Sequence, residues 1–129
     1  MITVPGMNAL LDSYFGSGWY IGLIDENPNL DEDDTMASHA GWTEFTSYSE
    51  VVREDWATDA AADSEVSNSV VAEFNINAAG TIAGYFIVSD NTKDGSSGTL
   101  FETVLLSEAK NVQNGDIQQV THTLLLGQV

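Results

Sequence analysis

Residues Thr81 to Leu106 read TIAGYFIVSDNTKDGSSGTLFETVLL. The opening TIAGYFIVS is apolar on both alternating faces, rich in aromatic and β-branched residues, and short. Such a run predicts a central strand covered on both sides. Gly84 inside it points to a bulge or to close packing. The polar, glycine-rich DNTKDGSSG predicts a hairpin loop, and TLFETVLL predicts the returning strand. A short connection of this kind joins antiparallel strands.

Working outward, the same pattern repeats. In VVAEFNIN, Val70, Ala72, Phe74 and Ile76 alternate with Val71, Glu73 and Asn75, which predicts a half-buried strand, and NAAG is its turn. After TLFETVLL, SEAKNV reads as a short connection and QNGD carries an Asn-Gly turn signal. IQQVTHTLLL then closes the chain as one strand with Val120, His122, Leu124 and Leu126 on one face. Upstream, WYIGLI predicts a strand. GWTEFTSY predicts another, with Trp42, Glu44 and Thr46 on one side and Thr43, Phe45 and Ser47 on the other.

SEVVREDWATDAAAD, Ser49 to Asp63, carries mixed signals. Ser47 and Glu50 have capping-box spacing, and Val52 and Trp56 sit four apart, as in a helix. Val51-Val52 and the flanking strands favour an extended chain, which is the reading adopted. MNALLDSYFG, with Met7, Leu10, Leu11, Tyr14 and Phe15 near helical spacing, predicts a short helix ended by Gly16 and Gly18.

The expected fold is therefore all-β: a single antiparallel β-sandwich domain over residues 1–129, jelly-roll-like, with one short N-terminal helix. A chain of 129 residues is long enough for one real core. Residues 1–6 are apolar and uncharged, and Pro5 would hold them extended as a docking arm. Met1, Ile2, Val4, Pro5 and Met7 are its candidate contacts, with pairing as an edge strand of the chain's own sheet as the even alternative.

Charge narrows the function. Twenty acids face three bases, for a net charge of −17. Thirteen of the acids lie between Asp25 and Glu65 against one base, Arg53. Direct nucleic-acid binding needs clustered Lys and Arg, so it is disfavoured, and anionic membranes are disfavoured for the same reason. No apolar run is long enough to cross a membrane. The N-terminus has no basic region and carries Asp12 early, so no secretory leader is expected. Without cysteines there is no disulfide or thiolate chemistry.

Asp25, Asn27, Asn29 and Asp31 alternate like the first ligands of a calcium loop. Leu30 stands at the turn-glycine position, Pro28 stiffens the loop, and Met36 stands at the bidentate position. A solvated acidic surface loop formed by Asp25, Glu26, Asp31, Glu32, Asp33 and Asp34 is the reading favoured. His39 and His122 are too far apart in sequence to suggest a zinc pair, and Ser38-His39 are adjacent in a way that rarely gives triad geometry. No phosphate-loop, dinucleotide or nucleophile-elbow motif is present. No enzyme, metal or cofactor is expected. Trp19, Trp42 and Trp56 could line a sugar-binding face, but packing in the core or at a subunit interface is favoured.

NALLDSYFGSGWYIGLID resembles the opening of a set of small bacteriophage virion structural proteins, in which an Ala-Leu-Leu-Asp helix ends in a Phe-Gly turn and leads into an aromatic strand. VSNSVVAEFNIN, GYFIVSDNTKDGSSGTLFETVLL and VQNGDIQQVTHTLLL follow in the same order, so the likeness spans nearly the whole chain. The segment Asn27 to Asp34 departs from it in being unusually charged. The resemblance implies a virion component with no catalytic residue: a capsid decoration (cement) protein on the outer shell, present in the host cytoplasm during assembly. Its partners would be the major capsid protein and copies of itself in a homotrimer. A tail adaptor or tail-fibre component is the alternative within that resemblance. A carbohydrate-binding β-sandwich module is the alternative of another class.

Overall fold

The computed structural model describes residues 1–127. TIAGYFIVS forms β6 (Gly80–Val88), which lies centrally, as its two apolar faces require. β1 (Tyr20–Ile24) pairs with one side of it and β7 (Leu100–Val112) with the other, both antiparallel. The outer edge of β1 carries two short strands in succession. β2 (Glu44–Phe45) pairs with Leu23 and Ile24, and β3 (Glu54–Asp55) pairs with Tyr20 and Ile21. Two further ladders, β4 (Glu65–Ser67) with β9 (Thr123–Leu125) and β5 (Ala72–Asn75) with β8 (Ile117–Val120), share a core with this sheet. The fold is an antiparallel, sandwich-like all-β structure with a single helix, α1 (Val4–Phe15), ahead of the strands.

Alternation along β1 explains the two covered faces. Ile21 and Leu23 enter the main core, where they meet Ile82 and Ile87 of β6, Phe74 of β5, Val66 of β4 and Val120 of β8. Ile24 points the other way, into a smaller cluster with Phe86, Val88, Met36 and Trp42. Trp42 and Phe45 fall on opposite faces, as the alternation in GWTEFTSY predicts. Gly22 makes room for the Phe86 ring, since a Cβ there would stand 2.1 Å from Cζ of that ring. At Gly84 a Cβ would stand 2.3 Å from the Val104 carbonyl oxygen, so the strands approach closely there. The ladder slips at the same point: Ile82 pairs with Lys110 but Gly84 with Leu105, so Leu106 to Ala109 bulge outward from β7.

Several expectations need correction. Residues 1–6 are not an extended arm, because the helix already begins at Val4. The Thr3 hydroxyl accepts from Gly6 N at 3.2 Å as the N-cap, and Pro5 sits in the first turn, where a missing N–H costs nothing. Met7 is a core residue: Met7, Leu11 and Phe15, four apart, form the buried stripe of α1, and burying each contributes about 1.5–3 kcal/mol. SEAKNV is not a connection, because Lys110 to Val112 rejoin the ladder opposite Gly80 to Ile82. IQQVTHTLLL breaks at Thr121-His122 into β8 and β9, which pair with different partners. GWTEFTSY keeps only Glu44 and Phe45 in a strand. Ser49 to Asp63 is extended, with β3 and isolated bridges.

One polar arrangement holds the irregular half together. Arg53 is buried and meets Glu44 in a two-pronged ion pair, Nη2 to Oε1 at 2.7 Å and Nε to Oε2 at 3.0 Å. Its remaining donors reach the carbonyls of Asp90 and Gly95 at 2.8 and 3.0 Å, and the guanidinium lies over the Phe86 ring. The hairpin loop after β6 is thereby tied to β2. Lys93 acts similarly, donating to the carbonyls of Tyr48 and Glu50 while sitting 4.2 Å from the Tyr48 ring centroid. Burial raises the pKa of Tyr48, with Glu44 adding to the shift.

Candidate docking surface

The loop from Asp25 to Thr43 covers the second face of the sheet. Met36 and Trp42 anchor it on Phe86 and Val88. Asn29 N donates to the Gly41 carbonyl at 2.8 Å, closing the loop on itself. Asp34 accepts from Trp42 Nε1 at 3.1 Å and from Asp31 N at 3.0 Å, and Asp31 accepts from Asp33 N at 2.8 Å. His39 stacks on Trp42 with ring centroids 3.9 Å apart. Glu26, Asp31, Glu32 and Asp33 are exposed, whereas Asp25 and Asp34 are half-buried because the loop uses them internally. Among the described residues no group of three or more metal-ligating side chains converges.

The tryptophans are core residues and offer no docking face. Trp19, Trp42 and Trp56 are all buried within the chain. Their N–H groups are also satisfied internally: Trp19 by the Tyr14 carbonyl at 2.7 Å, Trp56 by Asn68 Oδ1 and the His122 carbonyl. Packing in the core is the branch of the sequence reading that holds. A sugar platform built on these indoles lacks an exposed ring.

His122 is buried between two polar side chains. Its Nδ1 lies 2.8 Å from the Tyr85 hydroxyl and its Nε2 lies 2.7 Å from Glu102 Oε1. Burial, and then the Glu102 charge, raises the pKa of the Tyr85 hydroxyl. The Asn68 amide organises the backbone beside it, accepting from His122 N and donating to the Val70 and Val120 carbonyls. The imidazole uses both nitrogens on neighbours that belong to β6 and β7. The arrangement therefore ties the last segment of the chain across the main sheet.

Exposed apolar side chains occur at Val51-Val52, Val70-Val71, Ile117 and Leu125, and one cluster of them gathers where α1 meets the start of β7. Leu10 and Tyr14, one turn apart on α1, are 56 % and 52 % exposed, and Phe101 at the start of β7 is 38 % exposed. The Tyr14 and Phe101 ring centroids are 6.3 Å apart. Beneath them Phe15 and Trp19 form an aromatic floor, with Phe101 4.7 and 5.8 Å from their centroids. Phe101 reaches this side because the ladder slips between Ile87 and Val88, which turns it out of the alternation of its strand. Val4 and Ile2, at the start of the helix, are exposed as well. α1 is tied on its other side to the segment ahead of β4, where Asp12 accepts from Ala61 N at 2.7 Å and Asn8 from Ser64 N at 2.9 Å, and Trp19 Nε1 donates to the Tyr14 carbonyl at 2.7 Å.

Of the sequence-stated docking residues, Met1, Ile2 and Val4 are thus exposed at the helix start, Pro5 is built into the first turn, and Met7 and the three tryptophans are core. Leu10, Tyr14 and Phe101 were missed. The signal for the first two was present, since a helix with Met7, Leu11 and Phe15 inward leaves Leu10 and Tyr14 beside the buried stripe. No signal located Phe101, whose orientation depends on a bulge.

Fold and surface together define a class: an acidic, antiparallel β protein with an apolar crease on one face of its sheet and a charged loop on the other. No protein-family description, no curated protein and no solved structure matches the chain.

Proposed function

We propose that the chain is a non-enzymatic structural protein of a bacteriophage particle, a decoration protein that binds the outside of the capsid shell and stabilises it. The observation that carries this reading is the two-sidedness of the sheet. An adhesive apolar crease lies on the α1 side and a solvated acidic loop on the other, as a protein held between a shell and water requires. The resemblance of NALLDSYFGSGWYIGLID and the later strands to small virion proteins supports the same reading. His122, Tyr85 and Glu102 hydrogen-bond to one another and tie the last segment of the chain to the main sheet. The buried indoles weigh against a sugar-binding module. The partners proposed are the major capsid protein and further copies of the chain.

The test is the copy number per intact particle, by quantitative mass spectrometry against the major capsid protein. A ratio near one chain per shell subunit, or one per few, is expected. A few copies per particle would move the protein to the tail, as an adaptor or fibre component. Absence from particles would remove the reading.

A further inference from the structure

We propose that the open edge of β7 receives an extended segment of a partner protein as an added strand, and that this segment is apolar on one side and carries Lys or Arg. The identity of the partner as a shell subunit rests on the virion reading above; the capacity of the edge to take a strand rests on its own geometry.

The two edges of the main sheet differ. On the β1 side the edge is closed by β2 and β3, each two residues long. So short a pair offers no continuous row of backbone groups. On the other side β7 runs for thirteen residues without proline, and among the described residues it pairs with β6 alone. Alternate N–H and C=O groups of β7 therefore point away from the sheet. Proteins usually shorten, charge or cover such an edge. From Leu100 to Leu105 the only charge is Glu102, and His122 holds it at 2.7 Å. Phe101 stands exposed on the α1 face of that stretch, where Leu10 and Tyr14 extend the apolar surface, and Leu105 is exposed on the opposite face. Past Leu105, the bulge Leu106–Ala109 and the rejoined Lys110–Val112 line a groove of about 720 Å³ together with Asp116–Gln118.

An open row of backbone groups selects an extended backbone as occupant, and the apolar crease selects alternate apolar side chains on it. Charge decides against a second copy. Arg53 is spent on Glu44, Lys93 is spent on two carbonyls, and only Lys110 among the lysines and arginines is exposed. Two chains of net charge −17 repel one another as whole molecules, whereas a cationic segment is attracted to the chain.

The test is co-sedimentation of the purified protein with shells assembled from the major capsid protein alone, followed by hydrogen exchange on the bound protein. The wild type is expected to bind, with amide exchange slowed from Phe101 to Leu105 and with affinity falling as salt rises. Phe101→Asp and Leu10→Asp should each weaken binding at least about tenfold, and the doubly substituted loop Asp31→Asn, Glu32→Gln should bind as the wild type does. Leu10 is an exposed helix position, so its variant keeps the test open if Phe101→Asp fails to fold. Failure of the wild type to bind removes the virion reading and this inference with it. Binding with unslowed β7 amides, or with unchanged affinity in both variants, removes this inference alone. Self-association abolished by the same substitutions gives the edge to a second copy and overturns the cationic partner.

Discussion

The loop from Asp25 to Thr43 and the crease between α1 and β7 lie on opposite faces of one sheet and differ in what they leave unsatisfied. The loop is heavily charged, yet its backbone turns and its half-buried carboxylates find their partners within it, and water serves the rest. The crease is nearly uncharged, and among the described residues its large side chains stand partly in water while the edge beside it pairs with β6 alone. Charge density therefore marks the surface that needs nothing. The surface with interactions still to make is chemically quiet.

The comparison can be broken at several points. The largest effect is expected beneath the loop face. Arg53→Ala leaves the buried Glu44 carboxylate without its counter-charge, though Asp94 N still donates to it, and should cost about 3–5 kcal/mol by urea denaturation. A loss under about 1 kcal/mol would mean that the hairpin loop is held by something else. Next, Asp34→Ala removes the acceptor of Trp42 Nε1 and of Asp31 N, and should cost about 1–2 kcal/mol in the same assay.

A smaller effect should appear in the pH dependence at Glu54. Burial raises its pKa, and Glu50, Asp55 and Glu73 add to the shift. The folded state thus holds this proton more tightly than the unfolded chain, so the ionised carboxylate lowers stability at neutral pH, and that cost fades as pH falls through the raised pKa. Glu54→Gln should raise the melting temperature at pH 7, with the gain shrinking on acidification. A gain that is constant with pH would show that charge is not its cause.

The smallest effects sharpen the contrast. Joint replacement of Asp31, Glu32 and Asp33 by their amides, and separately Leu10→Ser, should each change stability by no more than about 0.5 kcal/mol. Any gain from the amides should vanish at high salt, because it comes from relieved repulsion. Sensitivity of the loop variant beyond that range would make the carboxylates structural and undo the contrast.

Much of the fold was legible. Apolar residues on both faces of TIAGYFIVS placed β6 at the centre of the sheet, and the stripe in MNALLDSYFG located the helix. What was hidden depended on long-range pairing. Val51-Val52 and Arg53 read only as an extended segment, because nothing local says that Arg53 will meet Glu44 and two carbonyls of a distant hairpin. The helix start was misplaced because Pro5 suits both an extended chain and a first helical turn, and Thr3 capping decides between them. The candidate surface was read less well than the fold. The tryptophans drew attention by type but were needed inside, and Phe101 faces the crease only through a slip in register.

The inward commitment of Arg53 and Lys93 also leaves the chain with a simple amine chemistry. A guanidinium does not acylate under mild conditions, and the Lys93 ammonium is held by two carbonyls and an aromatic face. Lys110, at the end of the open strand, is the exposed lysine. An amine-reactive dye or spin label on it would report from beside the edge where a partner strand would arrive.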